Sequence, residues 1–139
     1  TRLHHLIENL PLNDWTGDQI LELDPSCTVE EVDALMAFYH SAWYAQMRKM
    51  DVYKEFPFIH RNENEVLRGI FDIFAVDEND VYCVDFKTDR HLNEHEMLAM
   101  YQSQLEAYQS VLRAIYPKHT HHTGLYSFKH QKIIELKSE

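Results

Sequence analysis

Residues 66–87, VLRGIFDIFAVDENDVYCVDFK, carry the pattern on which the architecture of this chain depends. Apolar and β-branched side chains dominate both ends of the segment, which is typical of two strands. The residues between them, 77–80, are all acidic or amide residues and predict the turn of a β-hairpin. The segment therefore predicts two antiparallel strands that carry aspartates among apolar neighbours.

The two aspartates, Asp72 and Asp85, are equally far from the centre of that turn. A simple antiparallel register therefore places them opposite each other. Side chains alternate along a strand, so Lys87 lies on the same face as Asp85. Burying a carboxylate in such a strand is unfavourable unless a cation meets it, and two adjacent carboxylates repel each other. The three residues predict a divalent-cation site suited to phosphodiester cleavage, with Mg²⁺ as its natural occupant.

Lys87 is compatible with more than one role. It can orient or deprotonate an attacking water, or stabilise the pentacovalent phosphate. The structural alternative is a salt bridge between Lys87 and an aspartate at a strand end. An Asp-x-Lys pattern alone favours that alternative, whereas the additional Asp72, the hairpin turn and the following helix favour a chemical role.

The remaining elements follow from periodicity and from turn residues. Helices are predicted over 3–10 and 94–116, and a capping box at Thr28 and Glu31 starts another helix that extends to about Lys49. Five strands are predicted: Val52–Ile59, Val66–Val76, Val81–Lys87, Thr123–Phe128 and Lys132–Leu136. This order predicts an α/β fold with a mixed central sheet flanked by helices.

Length and composition are those of a single domain. The chain has 139 residues, of which 45% are hydrophobic, enough to build a core. We expect N-terminal helices over residues 1–49 and a catalytic core over residues 50–139. No apolar stretch approaches the ~18 residues of a membrane span, and no signal peptide is visible, so no membrane partner is expected. The abrupt start suggests a fragment of a larger protein.

The net charge is -10, with 13 basic and 23 acidic residues. Proteins that bind nucleic acid unaided are usually basic, because phosphate contacts dominate their affinity. This domain is therefore predicted to hold DNA poorly by itself: either its substrate is something else, or another module delivers the polymer. An ordinary acidic surface explains the charge equally well.

Two cysteines, Cys27 and Cys83, are too few for a disulfide framework or a four-cysteine cluster. Cys83 is predicted to be a small core residue, and the cysteine content fits a reducing, intracellular location. A metal tract is possible at His119, His121 and His122, which flank a turn after Pro117, although a solvated loop is the favoured interpretation.

Five short motifs resemble the PD-(D/E)XK nuclease superfamily, and in detail its RecB/AddA-type branch. They follow in the family's order: Thr1-Arg2-Leu3-His4, Glu55-Phe56-Pro57-Phe58, Gly69-Ile70-Phe71-Asp72, Val84-Asp85-Phe86-Lys87-Thr88-Asp89 and Gln104-Leu105-Glu106-Ala107-Tyr108. Phe86 replaces the tyrosine that is usual at its position, and the glycine that usually precedes Thr1 is absent. The resemblance extends from residue 1 to about residue 117 and implies a restriction-endonuclease-like core.

The resemblance implies a role for each matched residue. His4, Asp72, Asp85 and the backbone carbonyl of Phe86 would bind the catalytic metal, and Lys87 would be the catalytic lysine. The supporting or DNA-contacting residues that it implies are Gln104, Tyr108, Thr88 and Glu55. Gln104 and Tyr108 would brace the site or touch the DNA backbone, unless they serve helix packing alone. Thr88 could contact a phosphate, and Glu55 could be an indirect support and not a ligand.

The resemblance also implies a function. The domain would be a Mg²⁺-dependent deoxyribonuclease, with Mn²⁺ as a substitute, acting as an exonuclease with possible endonuclease activity. It would lack an iron–sulfur cluster, because two cysteines cannot supply four ligands. Helicase motor domains in the same chain or complex would feed it DNA during end processing and recombinational repair in a bacterial cytoplasm, alongside a possible partner helicase-nuclease subunit. The alternatives are a catalytically inactive docking module and a stand-alone phage or restriction-type nuclease.

Overall fold

The computed structural model describes residues 2–12 and 15–137, so Thr1 of the N-terminal motif lies outside the described residues. The helices are α1 Arg2–Asn9, α2 Gly17–Leu23, α3 Val29–Tyr39, α4 Ala42–Met47 and α5 Glu94–Ile115. The strands are β1 Asp51–Arg61, β2 Val66–Val76, β3 Asp80–Lys87, β4 Thr120–Ser127 and β5 Lys132–Glu135. Among the helices in these ranges, none is both long and apolar enough to cross a bilayer.

The strands form one sheet in the order β1-β2-β3-β4-β5. β3 and β4 are parallel, and every other neighbouring pair is antiparallel. A parallel pair needs a crossover connection, which α5 provides. Pro57 lies in the edge strand β1, the place in a sheet where a residue without an N–H is tolerated. The predicted mixed sheet flanked by helices is confirmed.

Helices cover both faces of the sheet. On one face, Ile73 and Val84 belong to a core cluster with Leu35 of α3 and other residues of the N-terminal helices. On the other face, Phe74 packs in a cluster with Leu112 of α5. Neighbouring residues along a strand serve opposite faces because side chains alternate. The result is a three-layer α/β arrangement with the sheet in the middle.

The N-terminal helices differ from the prediction in one respect. The capping box of Thr28 and Glu31 is present with both of its hydrogen bonds. The single helix predicted to continue to Lys49 is wrong, because α3 and α4 are separate. Ser41 divides them: its hydroxyl donates to a carbonyl in the last turn of α3 and accepts from the Tyr44 amide, which caps α4.

Two further features depart from the sequence interpretation. Helix α2 has no counterpart among the predicted elements, although Thr16 and Gln19 form a capping box like the one that precedes α3. His121 and His122 lie in β4 and are partly buried, so the favoured solvated loop is wrong for these two residues. Strand β4 begins earlier than its apolar residues indicate because it pairs with the whole length of β3.

The first two strands project beyond the rest of the sheet. β2 pairs with β3 only over residues 73–76, whereas it pairs with β1 at both ends, with an interruption at Glu55 and Asp72. We call the projecting part, residues 56–61 and 66–71, the hairpin arm. It joins the body of the sheet at the level of Glu55, whose φ of 48° is left-handed. Such a backbone is unusual for a residue other than glycine and is often found beside functional sites.

Candidate active site

Strands β2 and β3 bring the two predicted aspartates together. Main-chain pairing between these strands ends at Ile73 and Val84, and continuing the same register places Asp72 opposite Asp85. Asp72 Oδ2 accepts a hydrogen bond of 2.8 Å from the Phe86 amide. A side chain thus replaces a main-chain acceptor where the ladder stops, and the predicted register is confirmed.

Asp85 is buried, with 4% of its surface exposed, and lies beside Lys87. Lys87 Nζ is 2.8 Å from Asp85 Oδ2, which is an ion-pair distance. Apart from this ammonium group, no described residue donates a hydrogen bond to Asp85 Oδ2. The buried oxygen therefore depends on a cation for its counter-charge.

The two carboxyl groups differ in acidity. Burial, followed by the neighbouring Asp72 carboxylate, raises the pKa of Asp85 to about 7, although Lys87 opposes the rise. Burial also acts to raise the pKa of Asp72, but hydrogen bonds with His4, Asp85 and the Phe86 amide outweigh it and hold that pKa below its usual value. Two adjacent carboxylates behave in this way when no metal shares their charge.

Helix α1 carries His4 to the same point. His4 Nε2 lies 3.1 Å from Asp72 Oδ2 and 3.2 Å from the Phe86 carbonyl oxygen. The hydrogen bond with Asp72 raises the pKa of His4 against the opposing effect of burial. The structure therefore brings together His4, Asp72, the Phe86 carbonyl, Asp85 and Lys87.

The donor set suits a hard divalent cation. Two carboxylates and a carbonyl offer the oxygen ligands that Mg²⁺ and Mn²⁺ prefer, and an imidazole is acceptable to Mn²⁺. The burial of Asp85 Oδ2, with an ammonium group as its counter-charge, supports this fit. Across residues 2–12 and 15–137, no three His, Cys, Asp or Glu side chains already stand in a metal-binding group. His4 and Asp72 instead satisfy each other.

Tyr101 and Asp89 complete the surroundings of Lys87. The Lys87 ammonium lies 4.1 Å from the centre of the Tyr101 ring, within cation–π range. The Tyr101 hydroxyl lies 2.8 Å from both carboxylate oxygens of Asp89. The motif residues did not include Tyr101, although its place one turn before Gln104 on α5 could have indicated it.

Gln104 and Tyr108 contact each other and the base of the hairpin arm. Gln104 Nε2 donates to the Tyr108 hydroxyl over 3.0 Å. The Tyr108 ring packs edge-on against Phe58 and Phe71, which stack with their centroids 4.5 Å apart. Gly69 leaves room for this stack, because a Cβ there would lie 2.7 Å from the Phe58 ring. Three of the family-like motifs therefore meet in one packing contact.

The other two predicted residues occupy different places. Burial, followed by the charge of Asp72, raises the pKa of Glu55, as expected for a carboxyl group near that aspartate. Thr88 is exposed beyond the end of β3 and lines a cavity with Arg90 and Lys129. The structure thus places Glu55 beside the aspartates and Thr88 at the rim.

Lys54 was not singled out by the sequence, yet it fixes the helix that carries His4. Its Nζ donates to the carbonyl oxygens of Ile7 at 2.9 Å and Leu10 at 2.8 Å, at the C-terminal end of α1. Burial lowers the pKa of Lys54. A cation at a helix C-terminus satisfies carbonyls that have no intrahelical donor.

Replacing Lys54 with Met is expected to lower the free energy of unfolding by about 1–3 kcal/mol, because two carbonyl groups lose their donor. Urea denaturation of the metal-free protein measures the change. Lys132→Met is the matched control, since Lys132 pairs with Glu94 on the surface and its loss should cost under about 0.5 kcal/mol. Equal midpoints for the two variants would contradict the role of Lys54.

Replacing Gly69 with Ala is expected to destabilise the protein by about 1–3 kcal/mol, because the new methyl group overlaps the stacked Phe58 ring. Thermal unfolding reports the change. Gly17→Ala is the control: a Cβ there meets its nearest atom at an ordinary 3.5 Å, at the start of α2. That variant should unfold at the same or a slightly higher temperature. A Gly69→Ala protein as stable as Gly17→Ala would be inconsistent with the packing described.

Comparison with known proteins agrees with the geometry. A family model described as the PD-(D/E)XK nuclease superfamily matches residues 12–137. ATP-dependent helicase/nuclease subunits from Streptococcus pyogenes, serotypes M5 (strain Manfredo), M49 (strain NZ131) and M3 (strain SSI-1), are each 27% identical over 131 residues. These matches cover 82% of this chain, which spans 11% of the length of those relatives.

Proposed function

Because the chain belongs to the PD-(D/E)XK nuclease superfamily, we propose that it is a divalent-metal-dependent deoxyribonuclease domain that hydrolyses phosphodiester bonds in DNA. The observation that carries the proposal is the convergence of His4, Asp72, Asp85 and Lys87 from one helix and two strands. A decayed, inactive relative has no chemical need to keep these residues in contact, which disfavours the docking-module alternative.

Four groups of the chain would hold the metal: the His4 imidazole, the Asp72 and Asp85 carboxylates and the Phe86 carbonyl. Bound there, Mg²⁺ or Mn²⁺ would act as a Lewis acid on the phosphate and make a bound water more acidic. Binding of a metal ion at this position would require His4 to release the hydrogen bonds that it makes with Asp72 and Phe86.

Titration calorimetry with Mn²⁺ tests the ligand set. The His4→Ala variant should bind Mn²⁺ more weakly than the wild type, and unchanged binding would remove His4 from the ligand set.

Lys87 supplies the positive charge that the chain itself brings to the reacting phosphate. Asp85 on one side and the Tyr101 ring on the other hold its ammonium group in place. From there it would donate hydrogen bonds to the attacking water and to a non-bridging phosphate oxygen, where negative charge grows during attack. Hydrolysis places the water oxygen on phosphorus, breaks one ester P–O bond and protonates the departing oxygen.

Gln104, Tyr108 and Glu55 would act around this centre. The Tyr108 hydroxyl accepts a hydrogen bond from Gln104, so it can donate its own proton to a phosphate oxygen or to the Asp85 carboxylate. Burial raises the pKa of Tyr108 to about 12, and the Asp85 carboxylate adds to the rise, so the hydroxyl stays protonated. Glu55 would support Asp72, and Thr88 at the rim would contact a neighbouring phosphate.

The wider setting is proposed from the relatives. Their name joins a helicase and a nuclease, and this chain spans 11% of their length. We infer that residues 1–139 are the nuclease part of a larger helicase-nuclease, with helices over 1–49 and the core over 50–139. Motor domains would feed it DNA during end processing and recombinational repair in the bacterial cytoplasm, beside a second helicase-nuclease subunit. That dependence accounts for the net charge of -10 on a DNA-cutting domain.

Incubation with end-labelled linear and circular DNA, single- and double-stranded, tests the proposed function. Cleavage is expected with Mg²⁺ or Mn²⁺ and should stop with EDTA. Asp72→Ala should be inactive, whereas Lys132→Met should cleave as the wild type does. Cutting of circles would show endonuclease activity, and cutting of linear DNA alone would show exonuclease activity. No cleavage by the chain or by the chain fused to its motor domains would favour an inactive docking module.

A further inference from the structure

We propose that the outward face of the hairpin arm binds single-stranded DNA next to the active site. This proposal rests on the proposed function and deepens it by assigning the surface that holds the strand. The face has six members, three from each strand of the arm: Pro57, Ile59, Arg61, Val66, Arg68 and Ile70. We call these six residues the arm face.

The arm face is defined by the strand register. Pro57 pairs with Ile70, Ile59 with Arg68, and Arg61 with Val66. All six side chains are exposed, and Ile59, Val66 and Ile70 expose half or more of their surface. The opposite face of the arm is covered, because Phe58 and Phe71 pack there against Tyr108 of α5. Three large aliphatic side chains left open on a rigid hairpin indicate a binding surface.

The charges on the arm face are of one sign. Arg61 and Arg68 occupy diagonal positions across the hairpin, a spacing of about 7–8 Å between Cα atoms. Among the described residues, neither guanidinium forms an ion pair. The acidic residues of the arm, Glu63 and Glu65, lie in its connecting turn and not among the paired residues. Two unneutralised arginines on a chain of net charge -10 match a polyanion.

The arm face leads directly to the catalytic aspartates. Every second side chain of a strand points to the same side, so Arg68, Ile70 and Asp72 share one side of β2. Asp72 lies four positions after Arg68, a distance of about 13 Å along an extended strand. A DNA segment of a few nucleotides can therefore have one phosphate near Asp72 and another between the arginines. The left-handed residue Glu55 marks the junction between the two.

The mixture of side chains favours a single strand over a duplex. Proteins hold single strands by combining cations for the backbone with apolar or aromatic surfaces for the exposed bases. Ile59, Val66 and Ile70 can contact unstacked bases, whereas a duplex hides its bases and offers phosphates alone. A protein partner could also cover the aliphatic residues. It would in addition need carboxylates opposite the two arginines, whereas DNA carries a negative charge at every phosphate.

Binding of a fluorescein-labelled single-stranded oligonucleotide, measured by fluorescence anisotropy in EDTA, tests the proposal without cleavage. The chain is compared with Arg61→Gln/Arg68→Gln and with the control Arg113→Gln/Lys118→Gln, which removes the same charge at the far end of α5. We expect the arm variant to bind roughly 10- to 30-fold more weakly near 0.1 M salt, and its salt dependence to fall by about 1.4 in slope. Ile59→Ser/Ile70→Ser should weaken single-strand binding more than duplex binding.

The possible results separate this proposal from the proposed function. If the arm variant and the control bind equally, or if the wild type binds no oligonucleotide even at low salt, the arm face is not a DNA surface. That conclusion would hold even if the wild type cleaves DNA with Mn²⁺. Weaker binding by the arm variant alone supports the arm face even if no cleavage is seen. Thermal unfolding should show that these exposed substitutions leave the fold intact.

Discussion

Asp85→Asn is expected to abolish DNA cleavage while leaving the metal-free protein at least as stable as the wild type. The substitution ends the repulsion between the buried Asp72 and Asp85 carboxylates. It also ends the ion pair with Lys87, but the ammonium group keeps its contact with the Tyr101 ring, so the gain is expected to offset the loss. The substitution also removes a charged oxygen that would bind the metal, and loss of several kcal/mol of transition-state stabilisation reduces the rate at least about 10³-fold. Stability and activity should therefore move in opposite directions, as is common at functional sites.

Cleavage of labelled DNA with Mn²⁺ and thermal unfolding in EDTA measure the two effects of Asp85→Asn. Asp80→Asn is a useful control, since Asp80 also lies on β3 but pairs with His122 away from the site. It should retain cleavage. A large fall in the unfolding temperature of Asp85→Asn would contradict the repulsion between the paired carboxylates, and residual cleavage near the wild-type rate would remove Asp85 from the catalytic centre.

Lys87→Met is expected to reduce cleavage by roughly 10²- to 10⁴-fold while Mn²⁺ still binds. In the proposed mechanism the ammonium group contributes charge to the reacting phosphate but does not bind the metal, so the proposed ligand set would survive. In EDTA this variant should be less stable than the wild type, because Asp85 loses the cation 2.8 Å away. Added Mn²⁺ should restore part of that stability by binding the folded state.

Cleavage assays, Mn²⁺ calorimetry and thermal unfolding with and without Mn²⁺ distinguish Lys87→Met from Asp85→Asn. The two variants share a loss of cleavage but differ in metal binding and in metal-free stability. Lys129→Met is the control, because it removes a lysine near Thr88 at the rim and should leave Mn²⁺ binding unchanged. Loss of Mn²⁺ binding by Lys87→Met would mean that the lysine holds the carboxylates in place, and its catalytic assignment would be wrong.

Local patterns were sufficient for the centre of the fold. The hairpin register follows from the turn at residues 77–80, because a tight turn leaves few ways to pair the strands. The contact between Asp72 and Asp85 can therefore be predicted from the sequence alone. The capping box at Thr28 and the end of α5 before Pro117 are equally local, since both depend on hydrogen bonds within one helix turn.

Other features were beyond local reasoning. The break between α3 and α4 depends on Ser41, whose hydroxyl forms hydrogen bonds with both helix ends. The apolar residues before and after it follow one helical period, so the sequence pattern predicted a single helix. Lys54 looks like a surface lysine in the sequence, and its role requires the C-terminus of α1 to lie beside β1. His121 and His122 belong to β4 because β3 supplies a partner strand, and no nearby residue encodes that partner.

The sequence was enough to establish the mixed α/β fold, the opposed aspartates and the lysine beside them, because these depend on alternation and on one short turn. Contacts between distant segments required the tertiary structure. His4 meets Phe86 across more than eighty residues, Phe58 stacks over Gly69 beneath Tyr108, and the hairpin arm projects because β2 pairs with β3 only as far as Ile73. The physical reason is that packing between elements depends on shapes and charges that meet after folding, which periodicity along the chain does not encode.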